Sequence, residues 1–257
     1  MTELLVSTHD RGMSHVDEHN GEPTVSANVA AARRQRWQRY WDRHAHTYDR
    51  EMALLDRLLF RDTRRWVCEQ ATGQVLEVAI GTGLNIGLYP HGVALTGIDL
   101  SPAMLAIARR RARELGRTVD LRCENAETLN FPDASFDTVV CTFSLCGIPD
   151  HEQAVTEMVR VLRPGATLLL ADHVAAVHPA LRAVQGVAEL ISVPLGGEHL
   201  RRRPIELVRS AGLQVVRHDR FAAGIVERLT ARMPPDPQIA ARATASPVMG
   251  VAPTLPS

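Results

Sequence analysis

One stretch constrains the fold of this chain more than any other. It is Val75-Leu76-Glu77-Val78-Ala79-Ile80-Gly81-Thr82-Gly83-Leu84-Asn85, followed by a second apolar run, Val93 to Ile98, that closes on Asp99. A doubly wound α/β sheet builds a nucleoside site in this way. A small-residue turn lets the backbone approach the ligand, and an acid closing the next strand takes the ribose hydroxyls. A dinucleotide site needs a third glycine in G-x-G-x-x-G, because a pyrophosphate must sit on the helix N-terminus. Counted from Gly81, that position is Ile86. Glu77, just before the turn, would repel a pyrophosphate and suits a cation. These residues favour a ribonucleoside with a positive tail and no phosphate.

At 257 residues the chain holds one large domain or two small ones. Basic and acidic residues both number 29, so no global field favours nucleic acid. The polar segment Met1 to Pro23 has no apolar core for a signal peptide, and no run has the ~18 apolar residues of a membrane helix. Cys68, Cys123, Cys141 and Cys146 lack C-x-x-C spacing and read as buried free thiols of a reducing compartment, which makes the cytoplasm the expected location.

Residues 1–29 and the Pro/Ala-rich tail 233–257 are expected to be disordered, with one domain over 30–232. Helices are expected at 31–44 and 48–71. Strand-like runs follow at 74–79, 93–98, 118–123, 136–142, 166–172 and 213–218, separated by helical segments at 84–89, 102–115, 151–162 and an interrupted 179–211. Ser101-Pro102 is a good helix start and Gly116 a good stop, while Leu162-Arg-Pro-Gly165 is expected to end a helix and turn the chain. The alternation predicts parallel pairing with right-handed crossovers.

S-adenosylmethionine is a ribonucleoside of the required kind. Glu77-Val-Ala-Ile-Gly81-Thr-Gly83 resembles the E/D-x-G-x-G-x-G motif of class I S-adenosylmethionine-dependent methyltransferases of the type 11-like group. The resemblance continues through Gly97-Ile-Asp99-Leu-Ser-Pro102, Glu124-Asn125-Ala126-Glu127, Phe131 to Asp137 and Leu162-Arg-Pro-Gly165, covering roughly 37–222. It departs at Ala79, which stands where the family has a glycine, and at Asn125, where the family usually has aspartate. The implied fold is a Rossmann-like, doubly wound, seven-stranded and mostly parallel sheet with helices on both faces and an N-terminal helical lid. Its seventh strand would come from the weak run 224–230.

The resemblance implies a cofactor site made of Tyr48, Glu77, Ala79, Gly81, Gly83, Asp99, Leu100, Asn125, Ala126, Thr142 and Phe143. Asp99 would accept both ribose hydroxyls, unless it merely caps the next helix. Glu77 would offset the ligand's positive charges through space or pair with a nearby arginine. Asn125 would meet the adenine amine through its carbonyl oxygen, with the Ala126 N–H on the ring. Thr142 and Phe143 would turn carbonyls toward the methionine moiety, and Tyr48 would stand near the entrance.

Two further groups lie beside this set. Trp37, Tyr40, Trp41, His44 and Tyr48 recur at helical spacing among arginines, forming a lid, a core-packing stripe or a membrane-surface helix. Asp172-His173 closes the fifth strand, so His173 is either a general base or a structural hydrogen-bonding residue, whereas His151 reads as a surface residue. No metal is expected. The segments Val139 to Cys146 and Asp172 to Ala176 resemble alkyl-thiol, phospholipid and quinone methyltransferases. They imply methyl transfer to a small or lipophilic acceptor (thiol, amine, phenol or quinol), with peripheral membrane contact as a partner option. The rivals are a Rossmann oxidoreductase, disfavoured by Ile86 and Glu77, and a cofactor-binding regulatory protein without turnover.

Overall fold

The computed structural model describes residues 25–235; the expectations for 1–24 and 236–257 lie outside that range. The strands are β1 (Gln74–Val78), β2 (Ala94–Asp99), β3 (Val119–Cys123), β4 (Phe136–Thr142), β5 (Leu162–His173), β6 (Gln214–Phe221) and β7 (Val226–Arg232). They form one seven-stranded sheet in the order β3-β2-β1-β4-β5-β7-β6. All pairings are parallel except β5–β7 and β7–β6. The order reverses between β1 and β4, the switch point where such sheets open a crevice at their carboxyl ends. The registers Glu77↔Gly97 and Val78↔Cys141 align the ends of β1, β2 and β4 on that crevice.

The central strands read as continuous apolar runs because both their faces are covered. Leu76, Val78, Val139, Cys141, Leu168 and Leu170 pack on one side with α4 (His151–Arg160) and α6 (Pro204–Ser210). Val75, Val140, Leu169 and Ala171 pack on the other with α2 (Thr63–Cys68) and α3 (Pro102–Glu114). Ser101 Oγ accepts the Met104 N–H at 3.1 Å with Pro102 at the first position, so α3 starts where capping chemistry dictates.

Several boundaries differ from those expected. One helix, α1 (Val25–Leu55), replaces the expected pair and starts inside the segment expected to be disordered. The expected break at 45–47 is closed by polar side chains bonded back to the helix: His44 Nδ1 pairs with the Tyr40 carbonyl at 2.8 Å, and Thr47 Oγ1 donates to the His44 carbonyl at 3.2 Å. A π-turn (Asp56–Phe60) separates α1 from α2. The helix expected at 84–89 is a single 3₁₀ turn, Ile86–Leu88, because Pro90 disfavours helical backbone at Tyr89. Helix α4 ends at Arg160, and Leu162 already pairs with Phe136; Gly165, at φ +79, takes up the irregularity that follows. The interrupted helix resolves into α5 (Pro179–Gly196) and α6. Cys123 is exposed at the edge strand β3, contrary to the expected burial, and all four cysteines are free thiols.

Candidate active site

The turn after β1 passes through left-handed conformations at Ala79 (φ 55), Gly81 (φ 58) and Gly83 (φ 79). Alanine therefore occupies a conformation that favours glycine, at a cost of ~1–2 kcal/mol. A Cβ at Gly81 would meet only Tyr48 Cε1 at 3.9 Å, so the turn is open there. Gly83 has a different job, because a Cβ would come within 2.5 Å of Ile86 Cδ1. It allows close packing rather than ligand approach.

Asp99 ends β2 and is held by two amides: Oδ2 accepts Gly81 N–H at 2.8 Å and Oδ1 accepts Ser101 N–H at 2.8 Å. Burial pushes its carboxyl up to about 6, against the pull of those N–H groups. Glu77 is 2% exposed, and its oxygens accept Asn85 Nδ2 at 2.6 Å and Tyr89 OH at 3.0 Å. Burial raises it to about 7. The nearby cation, Arg64, pairs with Asp56 at 3.0 Å, which leaves Glu77 without a salt bridge of its own.

A cavity opens at this crevice. Ala79, Gly81, Asp99, Leu100, Asn125, Ala126, Phe143 and Tyr48 line it together. Glu77, Gly83 and Thr142 lie behind the wall; Thr142 Oγ1 accepts Asn85 Nδ2 at 2.9 Å. Asn125 Oδ1 accepts the Glu127 N–H at 3.1 Å, closing its own turn. Phe143 takes φ 54 and stacks on Phe60 at 3.8 Å between centroids, so packing holds a strained backbone at the cavity edge. Tyr48 roofs the turn, and its hydroxyl is pushed up to about 12 by burial.

Helix α1 forms the roof. Asp42 accepts Ser101 Oγ at 2.5 Å and Ala103 N–H at 3.2 Å, and Asp49 accepts Thr82 Oγ1 at 2.6 Å while pairing with Arg111. These clamps turn Trp37, Trp41 and Tyr48 into the cavity. Of the stripe expected on α1, Trp37, Trp41 and Tyr48 line the cavity, whereas Tyr40 and His44 do not. The far end of the cavity is built by Cys146 to Pro149 and by Glu198. Arg202 fastens that loop by donating to the Leu145, Ile148 and Pro149 carbonyls. Nothing in the sequence marks Glu198 or Arg202, because only the return of α5 brings them to this loop.

His173 is not among the residues lining the cavity; its Nδ1 lies 3.4 Å from Asp172, and its Nε2 is buried without a partner. Cys146, Asp172 and His173 offer ligand atoms within 4.8 Å of one another. Asp172 spends its oxygens on the Cys146 and His173 amides, at 3.1 and 2.8 Å, which accounts for the cluster as a turn-holding knot. His151 is half-buried at the start of α4, its pKa lowered by burial and by Arg202.

Residues 76–170 match the family model of a methyltransferase domain. The chain is 46% identical over 115 residues to phosphatidylethanolamine N-methyltransferase of Cereibacter sphaeroides, covering 44% of this chain and 57% of that protein. It is 36% identical over 134 residues to a thiol S-methyltransferase of Homo sapiens (50% and 54%), and 38% identical over 130 residues to demethylmenaquinone methyltransferase of Thermus thermophilus (46% and 59%). The chain thus spans little more than half the length of these relatives. An S-adenosylmethionine-dependent methyltransferase structure from Methanosarcina mazei superposes with a TM-score of 0.53 at 24% identity, covering 66% of this chain and 96% of that one. The [4+2]-cyclase SpnF superposes at 0.57 with 22% identity, over 68% and 80%. These two likenesses carry the fold alone.

Residues 76–170 thus match a methyltransferase domain, and they lie in a seven-stranded sheet that carries a glycine turn and a strand-end acid at its switch point.

Proposed function

We propose that this chain is a cytoplasmic S-adenosylmethionine-dependent methyltransferase acting on a small or lipophilic acceptor: a thiol, amine, phenol or quinol. The observation that carries the reading is a single cavity with two unlike ends. One end holds the glycine turn and Asp99, and the other is walled by Trp37, Trp41, Cys146 and Ile148. The donor set fits the cofactor: a strand-end carboxyl for ribose hydroxyls, an open backbone turn, and a buried carboxyl, Glu77, that a cationic tail would draw into its charged form. Tyr48, Ala79, Gly81, Asp99, Leu100, Asn125, Ala126 and Phe143 would hold it directly, with Glu77, Gly83 and Thr142 acting from behind. When bound, S-adenosylmethionine supplies a methyl carbon already activated by its sulfonium. The protein's own work is then alignment and exclusion of water, for which proximity alone can supply ~7–11 kcal/mol. Free thiols throughout support a reducing compartment.

The test is release of S-adenosylhomocysteine over a panel of thiols, amines, phenols and quinols. Turnover with at least one class is expected. Cofactor binding with no turnover on any of them would favour a regulatory protein instead.

A second reading, action at a membrane surface, is favoured by α5. This helix exposes Val184, Val187, Leu190, Ile191 and Leu195, each 62–74% accessible. Beside it, Arg36 of α1 donates to the Pro194 carbonyl at 2.5 Å, placing a basic helix against the apolar stripe. An apolar face flanked by arginine suits an anionic lipid surface. No described helix is long and apolar enough to cross a membrane.

A further inference from the structure

The acceptor end of the cavity has features that an apolar pocket does not require. Trp37 and Trp41 meet at 6.1 Å and 83°, so their rings form a corner, and Tyr40 stacks on Trp37 at 5.5 Å. Helix α5 then stops on Gly197 in the left-handed conformation (φ +60). A Cβ there would run into the Trp37 ring, so only glycine lets the chain pass this close. The next residue, Glu198, thereby reaches the same cavity wall as Trp37 and Trp41.

The Glu198 carboxylate makes no hydrogen bond or ion pair among the described residues, although its backbone carbonyl accepts Ser192 Oγ at 2.8 Å. The groups that act on it most are His173, Asp172, Glu51 and His44, and burial raises its carboxyl above the ordinary range. His173 and His44 pull that carboxyl down while Asp172 and Glu51 push it up, and burial prevails. A thiol or quinol offers Glu198 only a neutral hydrogen-bond donor. Facing a cation, it gains a charged partner, and an indole face turned to that cation would add cation–π attraction.

Resting on the methyltransferase reading above, we propose that the Trp37/Trp41/Glu198 corner is an alkylammonium site, so that the acceptor is an amine. The amine enters protonated, and Glu198 takes one proton to become a neutral carboxylic acid. The freed nitrogen lone pair forms the N–C bond as the C–S bond breaks. That bond's electron pair stays on sulfur and cancels its positive charge, and the product leaves as a methylated ammonium. Glu198 then returns its proton to solvent.

The binding test uses octyltrimethylammonium, which cannot be methylated, and its uncharged carbon isostere, each titrated in the presence of S-adenosylhomocysteine. The charged probe should bind at least tenfold tighter. Glu198→Gln and Trp37→Leu should each remove most of that preference while S-adenosylhomocysteine affinity stays within about twofold. This comparison needs no variant to fold, since the wild-type charge preference alone decides. Equal affinity for the two probes overturns the proposal. In turnover, octylamine and phosphatidylethanolamine vesicles separate a free amine from a lipid headgroup, with octanethiol as the uncharged comparison. Methylation of octanethiol but of neither amine would also overturn it. Loss of S-adenosylhomocysteine binding itself would instead overturn the methyltransferase reading, so the two failures are distinguishable.

Discussion

At the scale of single residues, the cofactor end rests on Asp99. Its two oxygens already accept the Gly81 and Ser101 amides, so it joins the turn after β1 to the start of α3. Asp99→Ala should weaken S-adenosylhomocysteine binding by about 1.5–3 kcal/mol, the scale of hydrogen bonds to charged groups, with the fold retained by circular dichroism. Unchanged affinity in a folded variant would remove the ribose assignment. Glu77 and Asp99 also set a pH dependence. Both are raised in the folded protein, from 4.5 to about 7 and from 3.8 to about 6. Their stabilising contribution is therefore complete below their unfolded values and is lost as pH rises through the folded ones. The ligand-free melting temperature should fall between pH 5 and pH 7.5 (a window set by those shifts), and Glu77→Gln should flatten that slope. A slope identical to wild type would mean that Glu77 does not titrate there. Ala79→Gly should stabilise the protein by about 0.5–1 kcal/mol in urea melts, since it relieves a left-handed alanine.

At the scale of elements, the central strands were legible because each is an apolar run closed by a turn signal. Val75–Val78, Val139–Cys141 and Leu168–Leu170 are buried on both faces, and such runs announce themselves. The antiparallel direction of β7 was not legible, because hydrophobicity carries no sense of direction. The continuity of α1 was missed for a related reason. The stretch from Arg43 to Arg50 is mostly polar, so no apolar stripe marks a helix across it, and side-chain bonds at His44 and Thr47 keep the helix going. In the site, residues beside the glycine turn were readable from local motifs, whereas Trp37 and Glu198 meet only through tertiary packing. The lid can be tested at this scale. A chain beginning at residue 29 should keep its activity, whereas one beginning at residue 48 loses Trp37, Trp41 and the Asp42 clamp. The shorter chain should lose turnover and bind S-adenosylhomocysteine more weakly. Full activity of the shorter chain on a soluble acceptor would show that α1 is not a lid.

At the scale of the whole molecule, the balance of 29 basic and 29 acidic residues conceals a local asymmetry. The apolar stripe of α5 lies beside Arg36 of α1, and Trp37 of that same helix lines the cavity. Co-sedimentation with vesicles rich in phosphatidylglycerol is the expected behaviour, reduced by Leu190→Glu or by high salt, which screens surface charge. Equal partition of wild type and variant would rule out α5 as a lipid-facing surface. The central claim concerns the cavity itself: a glycine turn without a third glycine, a buried acid beneath it and a strand-end aspartate make a site for S-adenosylmethionine and not for a dinucleotide. Isothermal titration tests this most directly. S-adenosylhomocysteine should bind in the micromolar range or tighter, about −8 kcal/mol or better, while NADH gives no heat. Binding of NADH with none for S-adenosylhomocysteine would contradict the account.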